Sequence, residues 1–294
     1  MHDGDMGKAN GGWVLAYFTL QHEALHLAVS SDGLTWQPLH DNQPVLFSSV
    51  GTRSMRDPFV FRAEDEVFHL LWTDGWRSPA IGHARSSDLI HWQSQQLLPV
   101  MAGIPGTHNC WAPECFYDDA ASVYRIIWSS TVGGRASGDV WDHRIWSATT
   151  TDFVHVSAPA LFFDPGYPVI DATVVPDAGR YVLIFKDERG SNRHGTDNKA
   201  LRVAVSAQGQ GPFEVVTELI TSHLTEGPAV FRAGPSWVMI YDHFMDHCYG
   251  ASRSDDLIHW HVMPARCSFP TGARHASVVP VSGRILAQLS LAAW

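Results

Sequence analysis

Five times along the chain, at steps of 57, 57, 55 and 49 residues, a titratable side chain stands at the threshold of a short apolar run. The openings are Asp57-Pro58-Phe59-Val60-Phe61, Glu114-Cys115-Phe116, Asp171-Ala172-Thr173-Val174-Val175, Glu226-Gly227-Pro228-Ala229-Val230-Phe231 and His275-Ala276-Ser277-Val278-Val279. A period of about 50 residues marks a repeat architecture, in which one supersecondary unit cannot bury its apolar face alone and must stack on its neighbours. A second series closes the units. Asp32…Trp36, Asp88…Trp92, Asp152…Val156 and Asp256…Trp260 each place an apolar residue four positions after a turn aspartate, and Pro212-Phe213-Glu214-Val215 is a degenerate fifth copy.

Between openings and closings lie short β-branched and aromatic runs that pair as inner strands: Val123–Ser129 with Arg144–Ala148, Tyr181–Phe185 with Leu201–Ser206, and Trp237–Tyr241 with Gly250–Arg253. No segment before the C-terminal stretch carries an apolar stripe of helical period over 11 or more residues. Four-stranded units of this size, repeated radially, predict an all-β five-bladed β-propeller over residues 13–294, with residues 1–12 extended or disordered. The chain begins with three strands that lack an inner one and ends with an inner strand, Ala276–Val281, that lacks partners. Its N- and C-terminal segments are therefore expected to close one blade jointly. Ser282–Trp294 reads as a short helix with Ser282 at its N-cap.

Composition excludes several partners. A net charge of −10 with 17% charged residues argues against a nucleic-acid backbone or an anionic membrane, both of which demand clustered Lys and Arg. Cys110, Cys115, Cys248 and Cys267 are too few for a disulfide framework in a chain of 294 residues and read as buried free thiols. Met1–Gly12 is polar and Gly-rich without an apolar core, so a cytoplasmic location is expected, with periplasmic or secreted locations open where a signal has been removed.

In a propeller the first strand of each blade lines the central channel, so the five opening residues are expected to converge at one end of it. Carboxyls gathered in one pocket push their pKa values apart, which lets one donate a proton while another accepts. That is the chemistry of glycoside hydrolysis. Arg56-Asp57-Pro58, Trp111-Ala112-Pro113-Glu114, Val169-Ile170-Asp171-Ala172, Thr225-Glu226-Gly227-Pro228 and Arg274-His275, in this order, resemble the five blade openings of glycoside hydrolase family 43.

The resemblance, which runs from about residue 13 to 281, implies Asp57 as general base, Glu226 as general acid and Asp171 as the residue that tunes and positions the acid. It implies inversion of configuration, hence carboxyls roughly 6.5–9.5 Å apart. It also implies an exo-acting α-L-arabinofuranosidase, with β-xylosidase, β-galactofuranosidase and a non-catalytic sugar-binding propeller as alternatives. The substrates would be short oligosaccharides or arabinose-bearing side chains. No cofactor is required, although His275 resembles a channel histidine beside a water-shelled structural calcium, and Arg274 its substrate-facing neighbour. Glu114 stands where many members carry aspartate and either holds water or sugar or serves structure. Arg56, Trp76, Trp141 and His243 are further candidates for the pocket wall, the two tryptophans either stacking on sugar faces or packing blades. His243 and His247 follow a strand, so their spacing of four builds no shared helical face, and the segment reads as a loop.

Overall fold

The computed structural model describes residues 11–133, 141–192, 199–263, 267–292 and 294. The segment expected to be extended or disordered therefore lies, for residues 1–10, outside the described residues. The chain forms five four-stranded antiparallel sheets arranged as a β-propeller. β1 (Gly12–Thr19), β2 (His26–Ser30) and β3 (Gln37–Pro38) come first. The first complete blade follows as β4 (Arg56–Arg62), β5 (Phe68–Thr73), β6 (Ile81–Ser86) and β7 (Trp92–Leu98). The second is β8 (Trp111–Asp118), β9 (Val123–Ser130), β10 (Arg144–Thr150) and β11 (Ala160–Phe163). The third is β12 (Val169–Asp177), β13 (Arg180–Asp187), β14 (Ala200–Ser206) and β15 (Glu214–Val215). The fourth is β16 (Glu226–Ala233), β17 (Ser236–His243), β18 (Cys248–Ser254) and β19 (His261–Val262).

β20 (Ala273–Val281) returns to pair with β1, from Gly12↔Val281 to Thr19↔Ala273, and becomes the inner strand of the blade that β1–β3 began. Helix α1 (Gly283–Leu291) follows, its N-cap Ser282 accepting a hydrogen bond from the Ile285 amide. The terminal closure and the helix agree with the sequence reading. One outer strand does not. In the second blade β11 begins at Ala160, beyond the expected Val156: the Ser157 amide already donates to the Thr149 carbonyl of β10, but Pro159 has no N–H with which to continue the ladder.

The turn aspartates owe their recurrence to backbone satisfaction. Asp256 Oδ1 accepts from the amides of Ile258 (2.9 Å) and His259 (2.8 Å), while Ser254 Oγ accepts from Leu257. Asp88, Asp152 and Asp32 repeat the same geometry. Apolar residues fill the five seams between blades, one cluster per seam. Trp36 is buried in its seam, and Trp92 and Trp260 are half-buried against theirs. The four cysteines are free, but only Cys110 and Cys115 are buried, Cys248 being exposed at the start of β18. The innermost strands β4, β8, β12, β16 and β20 touch their neighbours in a ring.

Candidate active site

Each innermost strand breaks its pairing at the same end of the channel. The register slips between Arg56 and Phe59, between Trp111 and Glu114, between Ile170 and Thr173, between Glu226 and Ala229, and where β1 passes from Ala16 to Phe18 opposite β20. One residue at each slip takes a left-handed backbone: Asp57 (φ 47°), Ala112 (46°), Asp171 (53°), Gly227 (57°) and His275 (32°). Such a bulge bends the strand and re-aims its side chain, at a cost of order 1–3 kcal/mol for a non-glycine residue. These five are the structurally equivalent positions. The sequence alignment by acids is therefore corrected at two places: Glu226 precedes its bulge by one residue and Glu114 follows its bulge by two, because Ala112-Pro113 and Gly227-Pro228 occupy the bends.

The bulges bring Asp57, Asp171 and His275 together. His275 Nδ1 lies 3.6 Å from Asp57 Oδ1 and 3.8 Å from Asp171 Oδ2. Asp171 Oδ2 also accepts the backbone N–H of Gly227 at 3.2 Å, which ties it to the residue beside Glu226. The close approach needs glycine there, since a Cβ on Gly227 would stand 3.0 Å from the His275 ring. Thr73 Oγ1, at the end of β5, donates to Asp57 Oδ2 (2.7 Å) and accepts from the Ala112 amide (2.8 Å), coupling two blades through one hydroxyl.

Burial raises the Asp171 pKa to about 7, with His275 opposing the rise and Glu226 adding to it. Glu114, hydrogen-bonded to Thr173 and near Asp171, is raised by burial to about 8. For His275 burial works against the charge, but Asp171, Asp57, Glu226 and Glu114 outweigh it and raise its pKa. Glu114 thus belongs to the cluster although it lies out of phase with the bulges. The imidazole Nδ1 faces carboxylates, and among the described residues no three His, Cys, Asp or Glu side chains form a metal-ligating group.

Behind Glu226 stand residues that its own strand does not announce. Lys186 Nζ, on a side chain 3% exposed, lies 2.7 Å from Glu226 Oε2 and 2.7 Å from Glu188 Oε1. Arg274 places Nη2 3.6 Å from Glu226 Oε1 and donates through Nε to Asp242 Oδ2 at 2.6 Å. Asp242 faces Glu226 across a β16–β17 rung. Because side chains alternate along a strand, His243 stands on the other face of β17, where its ring meets Tyr241 at 5.4 Å rather than the carboxylates.

An aromatic wall flanks the cluster. Trp111, beginning β8, meets Trp76 edge-on at 5.3 Å and Trp141 at 4.8 Å, and its indole N–H donates to the Trp76 carbonyl. Arg56 lies over the Trp76 ring (4.4 Å) and pairs with Glu23 at 2.5 Å. Trp76 is 56% exposed, whereas Trp141 is packed among Trp111, His143 and Arg77. Sequence reasoning placed Trp76 and Trp141 near the pocket but missed Trp111 as the ring that joins them.

Known proteins align with this arrangement. An α-L-arabinofuranosidase of Bifidobacterium longum subsp. longum is 27% identical over 186 aligned positions, an alignment that covers 54% of this chain and 18% of the relative. A probable arabinan endo-1,5-α-L-arabinosidase A of Aspergillus clavatus is 23% identical over 236 residues, 76% of this chain and 69% of its own. The chain thus spans less than a fifth of the bifidobacterial relative's length. The solved structure of a Cellvibrio cellulosa α-L-arabinanase complexed with arabinohexaose shares the fold, with a TM-score of 0.63 at 11% identity over 86% of this chain and 91% of that one. Residues 9–285 match the glycosyl hydrolase 43-related family, described as a probable glycosyl hydrolase domain. Since that match runs from the first strand of the ring through the last, the chain belongs to the glycosyl hydrolase 43-related family.

Proposed function

We propose that the protein is an inverting exo-glycoside hydrolase that releases a terminal pentose, α-L-arabinofuranose, from short oligosaccharides or arabinose-bearing side chains. One observation carries the mechanism: Asp57, Asp171 and the backbone beside Glu226 are drawn together through His275 and the Gly227 N–H. The arabinose preference is supported by the names of the two curated relatives.

In this reading Asp57, oriented by Thr73, takes a proton from a water poised at the anomeric carbon. Glu226 gives its proton to the glycosidic oxygen, the C–O bond breaks with its electron pair leaving on that oxygen, and the water oxygen bonds to the opposite face of the sugar. Asp171 accepts a hydrogen bond from the Gly227 amide and so fixes the backbone beside Glu226. Trp76 offers the stacking face. The test is a panel of aryl pentosides and hexosides with the product anomer followed by proton NMR. Aryl alcohol released from the α-L-arabinofuranoside with inversion is the expected result, and Asp57→Ala and Glu226→Ala should each abolish it while leaving the protein folded. Binding without release would make the chain a sugar-binding propeller; retention of configuration would refute the mechanism.

A further inference from the structure

We propose that Lys186 is a positioning residue for the proton-donating carboxyl: anchored on Glu188, its ammonium stays against Glu226 in both protonation states and meets the negative charge left when the proton departs. The proposal rests on Glu226 being the acid.

The geometry is a shared cation. Lys186 Nζ lies 2.7 Å from an oxygen of Glu226 and 2.7 Å from an oxygen of Glu188, above the Phe244 ring at 4.3 Å. Glu188 is held from its other oxygen by Lys199 at 2.9 Å. A buried ammonium with Glu226 as sole partner would be stranded each time Glu226 took up a proton, and an unpaired buried charge is costly. Glu188 removes that difficulty. It is the permanent partner and Glu226 the intermittent one, so no group has to move as the proton comes and goes. When the Glu226 O–H bond breaks and the proton joins the leaving oxygen, the carboxylate forms beside a cation already in place.

Other titratable groups face the pair from the surrounding strands: Arg274 and His275 from β20, Asp242 from β17, Asp171 from β12, and His143 ahead of β10. They are the same in every variant below. Lys186 differs from them in contacting Glu226 at hydrogen-bond distance from a site nearly closed to water.

The test compares a dinitrophenyl glycoside, whose leaving group needs little protonation, with the methyl glycoside of the same sugar, which needs it fully. For Lys186→Met the loss in kcat/KM should be at least ~30-fold larger on the methyl glycoside, within the span of general acid catalysis. The alkaline limb of the pH–rate profile should move up by about one pH unit, because an adjacent cation no longer favours the carboxylate. Glu188→Gln should move that limb down, since Lys186 then has Glu226 as its nearest anion. Equal losses on both substrates, or limbs moving in the same direction in both variants, would overturn the proposal in favour of a merely structural lysine. Full activity of Glu226→Gln on the methyl glycoside would instead remove the acid assignment itself, and with it this role. Glu188→Gln alone decides the matter if Lys186→Met does not fold.

Discussion

Asp171 sets a measurable cost on the native state. Its carboxyl is 6% exposed, and burial lifts its pKa from an ordinary 3.8 to about 7. A group whose folded pKa is raised contributes stability that is fully present below its unfolded pKa and is lost as pH rises through the folded one. The window here is therefore pH 4 to 8. The distance between those two pKa values corresponds to about 4 kcal/mol when fully expressed, a large share of the 5–15 kcal/mol that holds a typical domain.

Asp171→Asn keeps the side chain's shape and a carbonyl oxygen for the Gly227 N–H, but it cannot ionise. Urea unfolding of both proteins from pH 4 to 8 should show near-equal stability at pH 4. A gap should then open in favour of the variant, reaching about 2–4 kcal/mol at pH 8. Aspartates such as Asp88, where burial acts to raise the pKa but hydrogen bonds from His91, Ile90 and Ser86 together outweigh it and hold the carboxyl down to about 2, stabilise the fold above their unfolded pKa and lose that contribution as pH falls. Their effect is common to both proteins and cancels in the difference. Parallel curves, or a variant less stable at every pH, would refute the reasoning that the carboxyl is buried at its own expense. The variant should have lost turnover although it is the more stable protein.

Two further substitutions probe the frame of the site. Gly227→Ala forces a Cβ into a left-handed position 3.0 Å from the His275 ring. It should cost about 1–2 kcal/mol from the backbone alone and lower kcat more than it changes KM, as read by thermal unfolding and steady-state kinetics. Thr73→Val removes the donor to Asp57 and leaves the Ala112 amide without its acceptor. A loss of about 1–3 kcal/mol with a fall in kcat is expected, and unchanged kcat would show that the Thr73 hydroxyl does not orient Asp57.

The propeller was legible because each unit repeats two signals in phase: a polar threshold before an apolar run, and an aspartate whose carboxylate serves a turn. Asp57, Asp171 and Glu226 stand at thresholds and could be singled out. Thr73 could not, because a polar residue near the end of an inner strand looks like any strand end, and Lys186 and Asp242, in strand-end segments that the sequence marks as able to line the pocket, carried no assigned role. Their relevance comes from cross-strand rungs, Ile170↔Lys186, Glu226↔Asp242 and Arg56↔Thr73, which depend on register. The same holds for Glu114. Counting between acids put it level with Asp57, but the bulge falls at Ala112, and only paired strands reveal where a bulge lies.

The blade shared by β1 and β20 has a consequence for how the protein is made. On a ribosome β1 emerges before the other strands of the propeller and must wait, one edge unpaired, until the strand carrying Arg274 and His275 arrives more than 250 residues later. At a synthesis rate of about 5–20 residues per second, that interval lasts roughly 10–50 seconds. The four complete blades can pair internally during that time, yet none of them holds the imidazole that joins Asp57 to Asp171. If the cluster of Asp57, Asp171 and His275 carries the proposed hydrolysis, a nascent chain with four finished blades should be inert, and the appearance of activity during translation should time the closure of the ring.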